Sequence, residues 1–286
     1  MKREKLISVV LLVLALTAIS GLALITLFIF IEGVPLIFRI GFSNFFLSTV
    51  WAPKSLHQFG ILAMILGSLM VTVGAMVIAS LFGLGCAIVL TQFCPRRLVS
   101  ILKPAIELLA GIPSVVFGFM GVVILVPVVR EYLGGPGLCV LTASIVLGIM
   151  VLPTVTSISV DALQAVPRSF WEGSIALGAT RWQTARMVMV RAARSGIVAA
   201  MILGMGRAIG ETMAVIMVAG NARIIPESVL DPVRTLTTSI ALEMNYAEGD
   251  HRQALFATGV TLFVIIMILN TIALTVSRRR VRRSRG

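Results

Sequence analysis

Between Leu6 and Ile31 the chain runs 26 residues without a charged side chain. About 20 apolar residues in a helix suffice to cross a hydrocarbon core ~30 Å thick. A run this long has no place in a water-soluble core, and it exceeds the apolar region of a signal peptide. Five more segments repeat the pattern: Ile61–Phe93, Ile101–Val129, Leu138 to about Ser157, Gly196–Gly220 and Ala254–Val276. The third is interrupted by Gly111-Ile112-Pro113, and Pro153 stands near the end of the fourth. Six spans predict an all-α polytopic membrane protein with both termini on one side. The expected divisions are residues 1–60 (first span and external loop), 61–276 (a five-span core) and 277–286 (a basic tail).

Composition agrees. Apolar residues make up 58% of the chain and charged ones 13%, where a soluble domain has about 25% charged. A disordered chain, a secreted disulfide scaffold and an ordinary cytosolic enzyme are excluded. The net charge of +12 is unevenly placed. Of the 24 basic residues, seventeen fall at the termini and in the loops around residues 95 and 160–195. Six fall in the alternate loops, and Arg207 lies inside a span. The positive-inside rule then puts both termini in the cytoplasm. The arginine-rich tail reads as an anchor to lipid headgroups rather than a nucleic-acid patch.

Soluble chemistry is sparsely represented. No Gly-x-x-x-x-Gly-Lys-Ser/Thr loop occurs, so the chain has no P-loop route to ATP hydrolysis. His57 and His251 fall in predicted external loops, away from any candidate nucleophile. Cys86, Cys94 and Cys139 match no zinc spacing and read as packing residues.

The informative positions are Arg207 and Glu211, four residues apart near the middle of the fifth run. An arginine at the bilayer centre costs ~2.5–3.5 kcal/mol on insertion scales, so it faces protein or a wet pathway. On a continuous helix the two would share a face, either as a structural ion pair or as an anion site. In the second case Arg207 offers its planar fork of donors to an oxyanion. Gly206 and Gly210 form a small-x-x-x-small face suited to close helix packing. In the third run, Glu107 precedes Gly111 and Pro113, a simple kink or a conformational hinge.

The loop before the fifth span has its own grammar. Ser169 and Glu172 have helix-start spacing, which predicts a short helix over Phe170–Leu177 ended by Gly178, with Thr180 opening the next. Such a helix is either a docking knob or a solvated connector. In the last external loop, Thr235–Met244 is apolar enough for a short helix, lying on the membrane or dipping back into the protein.

Glu172 and Gly178 are spaced as in the EAA loop of ABC importer permeases, which this segment resembles. That pattern is Glu-Ala-Ala, three residues, Gly, nine residues, then Ile-x-Leu-Pro. Here it is Glu172-Gly173-Ser174, then Gly178, then Val188-x-Val190-Arg191, so the alanines and the closing Leu-Pro differ. Longer phrases over about residues 50–275 resemble the C-type permeases of phosphate importers. They are 107–118 (ELLAGIPSVVFG), 165–169 (AVPRS), 176–184 (ALGATRWQT), 204–221 (GMGRAIGETMAVIMVAGN) and 231–237 (DPVRTLT).

The resemblance implies a type I importer permease of MetI-like architecture in a bacterial inner membrane. It implies a sister permease of the PstA type, an ATPase dimer of the PstB type that holds ATP and magnesium, and a periplasmic phosphate-binding protein of the PstS type. It also places Arg207 and Glu211 in the translocation path. Ser169, Glu172, Gly173, Leu177, Gly178 and Ala179 would form the coupling helix to the ATPase. The alternatives are a permease for sulfate or molybdate, and a stand-alone anion channel or carrier.

Overall fold

The computed structural model describes residues 2–53 and 55–282, and side chains within 7–275 except those of residues 54 and 96. The chain is helical almost throughout. Helix α1 (Lys2–Ile40) passes through Pro35 and leads by α2 (Phe42–Phe46) into a two-stranded hairpin. There β1 (Trp51–Ala52) pairs antiparallel with β2 (Gln58–Phe59), Trp51 opposite Phe59. Helix α3 (Leu62–Gln92) crosses back, and α4 (Arg96–Ala110) follows. The next span comprises α5 (Ser114–Met120), a π-helical segment (Gly121–Leu125) and α6 (Val126–Tyr132). Helix α7 (Val140–Gln164) then returns.

A series of short pieces comes next: α8 (Arg168–Ala176), α9 (Arg181–Gln183), a π turn (Thr184–Met189) and α10 (Val190–Ala192). The chain crosses again in α11 (Arg194–Gly210) and α12 (Met213–Val218). A buried helix, α13 (Leu236–Glu243), precedes the last span, α14 (Gly249–Arg282). The predicted tail lies partly outside the described residues. We call the face at which α1 begins and α14 ends the terminal face, and the other the loop face.

Five helices among the described residues are long and apolar enough to span a membrane, and a bent pair brings the number to six. That pair, Arg181–Ala192 and Arg194–Gly210, turns by 72°. Beyond the bend, α11 with α12 gives a path of roughly 37 Å at 1.5 Å per residue, long enough to cross.

Helix α7 is the central post. Its Val146, Leu147, Met150, Val151 and Val155 pack against Val71, Ala75 and Ala79 of α3, with Ala208 and Val215 completing the cluster. Lipid tails are as apolar as these side chains, so helix association depends on close fit. Glycine supplies it: a Cβ at Gly148 would stand 2.8 Å from Ile78, and one at Gly204 2.9 Å from Val155. Helix α1 packs on α14 around Gly33, where a Cβ would meet the Ala257 backbone at 2.7 Å. Phe28 stacks edge-on against Phe256 and Phe30 against Phe263.

The structure corrects several sequence expectations. The third crossing begins at Ser114, not at residue 101, and is preceded by the separate helix α4. Gly111 and Pro113 therefore flank the joint between two helices instead of kinking one. The reason is local. Pro113 lacks an N–H and takes an extended ψ of 138°, while α4 is amphipathic, with Arg97, Lys103 and Glu107 among its leucines and isoleucines. The fourth crossing continues beyond residue 157 to Gln164, with Pro153 buried inside it. The fifth is broken at Glu211, where ψ is 133°.

Candidate functional site

The break between α11 and α12 defines the site. An extended residue at this depth frees backbone groups that lipid cannot satisfy, and several of them find partners within the protein. The Thr237 hydroxyl of α13 donates to the Glu211 carbonyl at 3.0 Å. Thr212 Oγ1 donates to the Gly210 carbonyl at 3.3 Å. Glu211 Oε1 accepts from the backbone N–H groups of Met213 at 3.1 Å and Ala214 at 3.3 Å. Glu211 thus caps α12, placing a carboxylate at the positive end of a helix.

Arg207 sits one turn before the break. Glu211 has left the helix, so the shared helix face expected from the i, i+4 spacing does not exist. The two side chains form no ion pair. Instead Arg207 Nη1 donates to Thr154 Oγ1 of α7 at 3.3 Å. Arg207 is exposed within this chain, and Gly206 and Gly210 beside it have open space where a Cβ would stand. A guanidinium has five N–H donors, and this is the one side-chain hydrogen bond found for it among the described residues. The arrangement leaves a fixed positive charge with most of its donors available, midway along the crossing.

The terminal face presents a second feature. Helix α8 has no buried residue. Phe170 is 51% exposed and Leu177 91%. The expected cap at Ser169 does not form. The helix starts two residues earlier, at Arg168, and Pro167, with φ −56° and no side-chain cap bond, sets the boundary. At the other end Gly178 takes φ +83°, a left-handed conformation natural to glycine. Ala179 N–H closes the turn on the Ser174 carbonyl at 3.2 Å. Thr180 then opens α9 with a capping box shared with Gln183, as its position suggested.

Ser169, Glu172, Gly173, Leu177, Gly178 and Ala179 therefore gather on one exposed knob. A bond between Ser174 Oγ and Thr184 Oγ1 at 2.9 Å braces it against the following helix. Glu172 and Glu107 both line a cleft of about 1350 Å³ that also contains Lys103, Arg168 and Trp171. Gly111 and Pro113 stand outside that cleft, so the three hinge candidates are not brought to one point. Lys103 Nζ pairs with Asp161 at 3.0 Å, tying α4 to α7.

On the loop face the structure reveals a cluster that the sequence reading did not single out. Glu243, at the end of α13, is fully buried. Oε1 accepts from Arg223 at 2.7 Å and from Arg234 at 2.5 Å. Oε2 meets the Trp51 indole at 2.9 Å and His251 Nε2 at 2.8 Å. Burial alone would push this carboxyl up. The indole and imidazole hydrogen bonds and the two guanidiniums outweigh it and hold the group below the usual carboxylate range. The sequence did carry a signal, a single acid in the apolar stretch 235–244 with Arg223 and Arg234 upstream.

A bundle of apolar crossings, one of them broken a turn beyond a membrane-depth arginine, and an exposed helix on the terminal face together have the form of a multi-pass transport permease. Residues 79–283 match the family described as binding-protein-dependent transport system inner membrane component, and the chain belongs to that family. It is 42% identical over 272 residues to the probable ABC transporter permease protein YqgH of Bacillus subtilis, covering 93% of this chain and 88% of that protein. It is 39% identical over 254 residues to the phosphate transport system permease protein PstC of Mesorhizobium japonicum, covering 82% and 77%. Among solved structures, the inward-facing MetNI methionine ABC transporter aligns with a TM-score of 0.56 at 20% identity, over 76% of this chain and 92% of that one. That likeness establishes the fold, the MetI-like permease architecture expected from the sequence.

Proposed function

We propose that this ABC importer permease is the phosphate-conducting subunit of an ATP-driven importer, with its terminal face in the cytoplasm. The observation that carries the reading is Arg207, held at mid-crossing by Thr154, its one side-chain hydrogen bond among the described residues. Phosphate is a tetrahedral oxyanion, and a fixed guanidinium offsets part of the cost of bringing it into low-dielectric surroundings. A single cationic station keeps the anion's stay short, as conduction requires. The relatives named as phosphate permeases support the choice of ion.

A sister permease of the PstA type would complete the path beside Arg207 and Glu211. A PstB-type ATPase dimer, holding ATP and magnesium, would seat the knob formed by Glu172 to Ala179. A PstS-type binding protein would deliver phosphate at the loop face.

The test is uptake of labelled phosphate by the reconstituted complex. Arg207→Lys should lower the rate at least tenfold, because an ammonium keeps the charge and loses the planar fork. Full activity would remove Arg207 from the path. Sulfate or molybdate blocking uptake better than unlabelled phosphate would reassign the substrate, and anion flux through this chain without the ATPase would make it a channel or carrier. Glu172→Ala should leave the membrane fold intact and cut ATP-driven uptake severalfold.

A further inference from the structure

The loop face holds a cavity of about 310 Å³ whose walls include Trp51, Ser55, Arg223, Glu243, Tyr246 and His251. Its charges do not balance. Glu243 is the single acidic residue lining it among the described residues, and each of its oxygens already accepts two donors. Two guanidiniums face that one carboxylate, and both stay charged at any working pH. Two acids of the same loop region are engaged elsewhere: Asp250 pairs with Arg39 at 3.1 Å, and Asp231 Oδ2 accepts the N–H groups of Glu227 and Ser228 at 2.8 Å.

The surplus charge has a definite location. The Arg234 side chain is 7% exposed, and its Nε is buried without a hydrogen-bond partner. The Arg223 side chain is 40% exposed and forms part of the cavity wall. It is oriented by Glu243 and by the Trp51 carbonyl, which Nη1 reaches at 3.1 Å. A guanidinium fixed in this way, open to a polar cavity beside an imidazole and a hydroxyl, is a ready oxyanion receptor. At ~30 Å³ per water, the space holds a tetrahedral anion with part of its hydration shell.

We infer that this cavity is an oxyanion site on the outer face, gripped by Arg223 with His251 and Ser55 at its edge. Its occupant is either the transported phosphate or a carboxylate of the docking protein. The outer assignment rests on the function proposed above. The site is one short helix from the path: α13 ends at Glu243, and its Thr237 bonds the Glu211 carbonyl. Thr237 lies six residues before Glu243, roughly 9 Å along the helix, so an occupant would bear on the helix that holds the break.

Trp51 supplies the reporter. With Trp171→Phe and Trp182→Phe it becomes the lone tryptophan of three. The full chain in lipid nanodiscs is titrated with inorganic phosphate, with sulfate and with acetate, against sodium chloride at matched ionic strength. A saturable change in Trp51 fluorescence beyond the chloride baseline is expected. Arg223→Gln should weaken it at least tenfold, and Arg207→Gln should leave it unchanged. Arg223→Lys, which keeps the ion pair to Glu243, should weaken it comparably and covers the case in which Arg223→Gln misfolds. A response to phosphate alone identifies the transported ion, and an equal response to acetate identifies a partner's carboxylate. A response to sulfate without phosphate keeps the site and removes the phosphate assignment. No response beyond chloride, or one that survives both Arg223 substitutions, overturns the proposal.

Discussion

Glu243 and Arg207 are charges in the same apolar protein, treated in opposite ways. Glu243 is sealed and saturated: four donors from the hairpin, the loop after α12 and the start of α14 converge on its two oxygens. Arg207 is open, with a hydrogen bond to Thr154 and exposed surface. Removing one partner from a buried, fully paired group leaves the others uncompensated. Removing a group with few internal partners costs the fold little. Glu243 therefore fastens the loop face, while Arg207 stays open to its surroundings.

The largest expected effect comes from breaking the saturated side. Glu243→Gln strands Arg223 and Arg234 beside a neutral amide. It should destabilise the loop face by about 3–5 kcal/mol, read as a lowered thermal midpoint in detergent. An unchanged midpoint would abolish the contrast.

Acid should act on the same side. The carboxyl of Glu243 is held below its ordinary value, so its contribution is fully present above the unfolded carboxylate range near pH ~4.3. It is lost as pH falls through the lower folded value. The thermal midpoint should drop as pH falls below about 4, and the drop should be smaller in Glu243→Gln, measured by calorimetry across that range.

Smaller effects sharpen the comparison. Thr237→Val leaves the Glu211 carbonyl without its donor at the helix break and should cost about 1 kcal/mol, with hydrogen exchange rising first at Met213 and Ala214. Arg207→Gln should move the unfolding free energy by no more than about 0.5 kcal/mol, although it removes a charge from mid-crossing. A larger loss there would make Arg207 a structural residue.

How far the sequence could be read followed the range of each interaction. The crossings were visible because each depends on its own apolar content. Gly178 and Thr180 were visible because a left-handed stop and a capping box are completed within about six residues. The break at Glu211 was hidden because GRAIGETMA continues a helical pattern, and the donor that satisfies the freed carbonyl, Thr237, is supplied by another helix. Likewise Ser169 had the right spacing for a cap, but Pro167 fixed the boundary first. For 235–244 the sequence left two placements open. Burial of Leu236, Thr238 and Ser239 shows that the helix dips into the protein.

The amino-acid sequence by itself determined that this chain lives in a membrane, how many times it can cross, and where one costly cation interrupts the crossings. Solvation of each segment in lipid fixes those properties locally. Tertiary structure alone decided which charges are neutralised and which stay open, because that depends on residues far apart in the chain. Trp51 meets Glu243 across 192 residues of chain, and Glu211 turns from a helix-face neighbour of Arg207 into the cap of α12.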